Sequence, residues 1–180
     1  MNSETVDLKE LAQKVHALAK DKGWHSFKET DEEFVGRAGN NLHGEISELW
    51  ESYRRDELHK PCDKAEKMAA LGIKPLTCAE EECADIVIRE LDSCQRLGIT
   101  IAELSDAVFP ASGNFVQYVT TLHACATAVS LSFRDAEFHA RLLAWTTRLS
   151  QHLGFDLWDA VERKHQYNCH REYRHGGKVA

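Results

Sequence analysis

The sequence predicts an all-α protein with a core of four to five helices. Long stretches repeat apolar residues at the 3.6-residue period of a helix. The 180 residues include only 3 Pro and 10 Gly, too few for a loop-rich all-β fold. That length fits a single domain spanning 1–180, and an apolar share of 43% is enough to build a core.

Each element follows from the pattern. A first helix fits 5–21, with Leu8, Leu11, Val15 and Leu18 on one stripe, and Asp21-Lys22-Gly23 ends it. A polar connection over 22–32 carries Trp24, His25 and Phe27. A second helix fits 33–58, with Phe34, Leu42, Ile46, Leu49 and Tyr53 as its inner face. Pro61, Gly72 and Pro75 make 59–78 a loop around one short helix at 64–71. A third helix fits 79–97 and stops at Gly98; a short one follows near 101–108, and Pro110 and Gly113 break the chain. A fourth fits 114–133 and a fifth 136–153, stopping at Gly154. A last helix begins near Asp156 and frays into a tail over 167–180.

Composition excludes several classes. A net charge of −7 argues against a nucleic-acid polymer as partner, because such binding usually needs a basic face. No apolar run approaches a membrane span. Cys62, Cys78, Cys83, Cys94, Cys125 and Cys169 form no C-x-x-C pair, and the polar start is no signal peptide. Reduced thiols in a cytoplasmic protein are the expectation.

Two acidic pairs carry the chemistry. Glu45 and Glu48 are three residues apart inside one apolar helical run, and Glu82 and Asp85 inside another. A three-residue step points both side chains the same way, so each pair forms a carboxylate edge. Two such helices packed antiparallel bring four carboxylates together, and these repel unless a divalent cation joins them. Glu–x–x–Glu is also common on solvated helices. Here Ile46, Leu49, Ile86, Val87 and Ile88 surround the acids and favour a site. A triphosphate approaching the acids needs magnesium, which keeps waters and binds phosphate oxygens as well as carboxylates. Glu48 is the first candidate to take a proton from the attacking water and Glu45 the second. The tail from Arg163 to Lys178 is a basic patch suited to phosphate oxygens, and Gly176-Gly177 gives it a flexible end.

These residues resemble a known family. Residues 41–54 (NLHGEISELWESYR) and 81–92 (EECADIVIRELD) look like the two acidic signatures of the MazG-like all-α nucleoside triphosphate pyrophosphohydrolases. Residues 162–168 (ERKHQYN) and 171–178 (REYRHGGK) are similar to their C-terminal segment. The resemblance implies a four-helix core and cleavage of a (d)NTP between its α and β phosphates, giving a monophosphate and pyrophosphate. By matching positions, Glu45, Glu48, Glu82 and Asp85 become ligands of Mg2+, with Mn2+ as a substitute. Lys164, Asn168 and Arg171 meet the phosphates, and Arg174 and Lys178 belong to the same basic segment. The gap between the acidic signatures is longer than in short members, and the helices over 114–153 are extra. The related dimeric dUTPases carry a similar decayed half, so a base-selective dUTPase- or dCTPase-like enzyme is one alternative. A non-catalytic helical module that binds a nucleotide or a partner is the other. A homodimer paired through an exposed apolar helix face is the expected assembly.

A degenerate internal repeat accompanies this pattern. Leu42-His43, Ser52, Tyr53 and Arg54 recur 80 residues on as Leu122-His123, Ser132, Phe133 and Arg134. Gln95, Leu97 and Gly98 recur 56 residues on as Gln151, Leu153 and Gly154, and an Asp-Ala-Val follows each, at Asp106 and at Asp159. Glu45, Glu48, Glu82 and Asp85 then align with Cys125, Ala128, Phe138 and Arg141. The chain reads as a fused pseudo-dimer, with the acids in a first half (1–110) and a degenerate copy plus the basic tail in a second (111–180).

Other polar residues read as structural. His43 and His123 are expected to be satisfied core histidines rather than ligands. His165, His170, His175 and Cys169 lack tetrahedral zinc spacing. Glu51 and Glu81 are expected beside the site rather than in it. Trp50 and Tyr118 are assigned to packing, as are Trp145 and Trp158; Trp24 is equally suited to stacking on a base.

Overall fold

A computed structural model describes residues 6–26, 28–104 and 113–177, with only the backbone of His175 and Gly177. Lys178, Phe27, Asp106-Ala107-Val108 and Pro110 lie outside the described residues. The helices are α1 (Leu8–Asp21), α2 (Asp31–Arg54), α3 (Ala65–Ala70), α4 (Cys78–Leu97), α5 (Phe115–Leu131), α6 (Ala136–Leu153), α7 (Leu157–Cys169) and the single turn α8 (Arg174–Gly177). Among the described residues there is no strand, only an isolated antiparallel bridge between Pro61 and Thr77. No described helix is long and apolar enough to cross a membrane.

Local chemistry sets the boundaries. Thr30 caps α2 with Glu33, and Thr77 caps α4 with Glu80, each as a reciprocal capping box. The second helix starts earlier and ends earlier than 33–58, because the cap is Thr30 and the chain turns at Arg55. Gly98 and Gly154 end α4 and α6 in the left-handed conformation expected of a C-terminal glycine. The expected helix near 101–108 is not formed over 101–104, and 105–108 lie outside the described residues.

α4 is the hub. It packs against α2, α1, α7 and α6, while α5 bridges α2 and α6. Ile86, Val87 and Cys83 on α4 are fully buried, as are Leu42, Ile46 and Leu49 on α2 and Leu122, Leu142 and Leu143 beyond them. Tyr53 departs from the expected inner face of α2. It is 42% exposed and stacks on Phe115 instead, at 4.5 Å between centroids. Gly39 permits the close approach of α2 and α5, since a Cβ there would lie 2.1 Å from Ser130 Oγ. All six cysteines are free thiols.

Candidate metal centre and its cleft

Packing of α2 on α4 brings three of the four expected acids together. Carboxylate oxygens of Glu45, Glu48 and Glu82 lie within 4.8 Å of one another. Glu45 and Glu82 are buried and Glu48 is exposed; Glu45 and Glu48 face the cleft and Glu82 lies behind them in the core. Glu82 Oε2 is buried with no hydrogen-bond partner among the described residues. A buried carboxylate oxygen without a partner is costly, and a cation is the natural complement. The donor set is all oxygen, which suits a hard ion such as Mg2+.

Asp85 is placed differently. Its Oδ2 is 2.7 Å from Lys164 Nζ, which also reaches the buried Glu81. Lys64 reaches the same Glu81 oxygen, 2.8 Å away, and also holds Asp63. Lys164 is therefore no exposed phosphate contact: its side chain is 1% exposed and pinned between acids of α4. Glu81, expected beside the site, anchors these two lysines. Arg163 fixes the same end of α7 by donating to Glu80 Oε1 at 2.8 Å and to the Pro75 carbonyl at 2.9 Å.

The charges separate the acids. Burial pushes the Glu82 carboxyl up to about 10, and the negative charges of Asp85, Glu81, Glu45 and Glu48 add to the effect. Burial also raises Glu45, with Asp85 helping, although Arg89 opposes by donating to Glu45 Oε1 at 2.5 Å. Burial pushes Asp85 the same way, but Lys164 and Arg89 outweigh it and hold its carboxyl below the usual value. At neutral pH the trio is thus proton-loaded at Glu82, while Asp85 is ionised.

The trio opens on a cleft of about 440 Å3, within the roughly 300–1,000 Å3 typical of small-molecule sites. Glu45, Glu48 and Asp85 line one part of it. Lys64, Lys67, Arg89 and Arg171 bring positive charge, while Trp24, His25 and Phe34 supply ring surfaces. Asn168 also lines the cleft, and its Oδ1 is buried without a partner among the described residues. A smaller groove of about 160 Å3 between α1 and the end of α4 carries no acid.

Of the expected tail contacts, Asn168 and Arg171 reach the cleft. Arg174 instead donates to Ser26 Oγ at 2.5 Å and lies over the Tyr173 ring. Lys22 ties the end of α7 by donating to the carbonyls of Cys169 at 2.8 Å and Arg171 at 2.5 Å. The cleft residues missed by sequence reasoning are Lys64, Lys67, Arg89 and Asp92. Arg89 and Asp92 stand four and seven residues after Asp85, on its own helix face, and that spacing could have found them.

His43 and His123 meet across α2 and α5, Nδ1 to Nδ1 at 2.9 Å, with stacked rings 5.2 Å apart. Trp50 is half-buried on Tyr53, and Tyr118 meets Trp145 edge-on. No family model, curated protein or solved structure matches this chain.

Proposed function

We propose that this chain is a magnesium-dependent pyrophosphohydrolase of nucleoside triphosphates, of the MazG-like kind its acidic signatures resemble. The observation that carries the reading is the Glu45–Glu48–Glu82 trio, one of whose buried oxygens has no partner, opening on a cleft with lysines and arginines. Glu45, Glu48 and Glu82 would hold Mg2+, or Mn2+ in its place. The bound ion supplies charge neutralisation at the reacting phosphates and orientation for the attacking water.

The chain's own residues do the rest. Glu48 is the exposed member and is free to accept the proton of that water, whereas Glu45 is engaged by Arg89. Lys64, Lys67 and Arg171 offset the charge of the triphosphate. Lys164 keeps Asp85 ionised beside the trio without entering the cleft. The ring of Trp24 offers a surface for a base.

The second half fits a decayed copy of the first. His43 and His123, equivalent at the 80-residue offset, touch each other, as equivalent residues do across a two-fold axis. One observation favours a non-catalytic nucleotide-binding module: Arg89 and Lys164 already neutralise Glu45 and Asp85 from within the chain.

Pyrophosphate release over a panel of (d)NTPs, with and without Mg2+, separates these readings. The enzyme gives Mg2+-dependent pyrophosphate that Glu48→Gln reduces at least about a hundredfold, in the range of a lost acid–base group. A single active substrate identifies a base-selective enzyme of the dUTPase or dCTPase type. Nucleotide binding with no turnover identifies the module.

A further inference from the structure

A second cluster of ligating side chains lies in the same cleft and is not used by the chemistry above. His16 on α1, His25 in the connection after it, and Asp92 on α4 offer ligand atoms within 4.8 Å of one another. Both imidazoles converge on one carboxylate: His16 Nδ1 is 2.7 Å from Asp92 Oδ1, and His25 Nε2 is 2.8 Å from the same oxygen. The two rings are 4.6 Å apart. His25 and Asp92 line the cleft, so the cluster is open to a small ion.

The geometry points to a site for a zinc-class divalent cation, held by His16 Nδ1, His25 Nε2 and Asp92. Two imidazoles and one carboxylate form the donor set of many zinc sites that keep a fourth position open. Imidazole nitrogen favours Zn2+ and its neighbours over Mg2+, so this site and the all-oxygen trio select different ions. Ligands about 2.0–2.1 Å from such an ion stand about 3.3 Å from one another. Each imidazole nitrogen needs to part from the Asp92 oxygen by only about half an ångström to take it.

The tautomers permit it. A nitrogen that binds a metal must give up its proton, and that proton must be free to sit on the other nitrogen. His25 Nε2 donates to Asp92, while its Nδ1 has no hydrogen-bond partner among the described residues, so the ring proton can move to Nδ1 when an ion takes Nε2. The contrast is His139, in the other His-containing cluster with Glu90 and Cys94. Its Nδ1 faces Glu90 at 2.6 Å and its Nε2 faces the Phe133 carbonyl at 2.7 Å. Both nitrogens are spent on acceptors inside the core, and no lone pair remains for an ion.

The two sites are separate. Asp92 lies seven residues past Asp85 and ten past Glu82 on α4, about 10 and 15 Å along the helix at 1.5 Å per residue. The full chain, freed of metal, is titrated with Co2+ as the spectroscopic stand-in for Zn2+, with Mg2+ in large excess to occupy hard-ion sites. The expected result is one Co2+ bound with the intense visible bands of tetrahedral coordination. His25→Gln and Asp92→Asn should each weaken it more than about tenfold, the smaller end of what even outer partners of such ligands cost. His16→Gln, on a partly exposed face of α1, serves if either of those fails to fold, as judged by circular dichroism. Glu48→Gln and Glu82→Gln should leave the Co2+ signal unchanged, so this site and the carboxylate trio fail independently. Absence of tetrahedral Co2+ in the parent protein, or a signal that survives the His25 and Asp92 changes, would overturn the assignment.

Discussion

Lys164 Nζ lies 2.7 Å from Asp85 Oδ2, with the lysine side chain 1% exposed. A buried ion pair is costly to break because one partner is left charged and desolvated. Lys64 remains to share Glu81, so the loss should fall near the lower end of the usual range. Lys164→Met should therefore destabilise the protein by about 3 kcal/mol in urea unfolding. A loss below about 1 kcal/mol, as for a surface pair, would contradict the placement.

Glu82 should make stability fall as pH rises. Burial and the neighbouring acids push its folded carboxyl up to about 10, well above the ordinary 4.5. Between these values the folded state holds the proton and the unfolded state has lost it, so stability declines across that window. The slope is at most about 1.4 kcal/mol per pH unit for one proton. Glu82→Gln removes the proton uptake, so in metal-free buffer its stability relative to the parent should improve as pH rises. Parallel pH profiles of thermal unfolding for the two proteins check this.

His139 has the opposite charge type and the same sign of dependence. Burial opposes its charge, but the hydrogen bond and charge of Glu90 outweigh it and raise the imidazole above 6.5. Its contribution is complete below 6.5 and fades as pH climbs through the raised folded value. The stability advantage of the parent over His139→Gln should therefore shrink on the alkaline side. Chemical denaturation of both proteins at a series of pH values measures it.

Much of the bundle was legible because helix period and punctuation are local signals. Gly98 and Gly154 ended helices where expected, and Leu42, Ile46 and Leu49 formed the inner face of α2. Tyr53 was misplaced because a strip drawn one turn too far includes a residue that stacks at the rim. The acids were legible as two pairs, but their division was not. Only the approach of α7 shows that Lys164 takes Asp85 and leaves a trio. The convergence of His16, His25 and Asp92 likewise depends on how α1 lies on α4, and no spacing within the chain encodes it.

Gly23 governs the tail. It has φ +85°, and a Cβ there would lie 2.2 Å from the Tyr173 ring. Gly23→Ala should cost about 1–2 kcal/mol through the strained backbone. It should also displace Tyr173, with the neighbouring Arg174 contact to Ser26. Faster tryptic cleavage after Arg174, ahead of any global unfolding, is the expected readout.

Calorimetric titration of Mg2+ into the metal-free protein, in buffers of different ionisation enthalpy, tests most directly whether the trio holds a cation. The parent should bind Mg2+ and release a proton at neutral pH as the ion displaces it from Glu82. Glu82→Gln should bind more weakly and release none, and Glu48→Gln should also bind more weakly. Mg2+ affinity unaffected by both substitutions, or no binding by the parent at all, would contradict a magnesium site built from Glu45, Glu48 and Glu82.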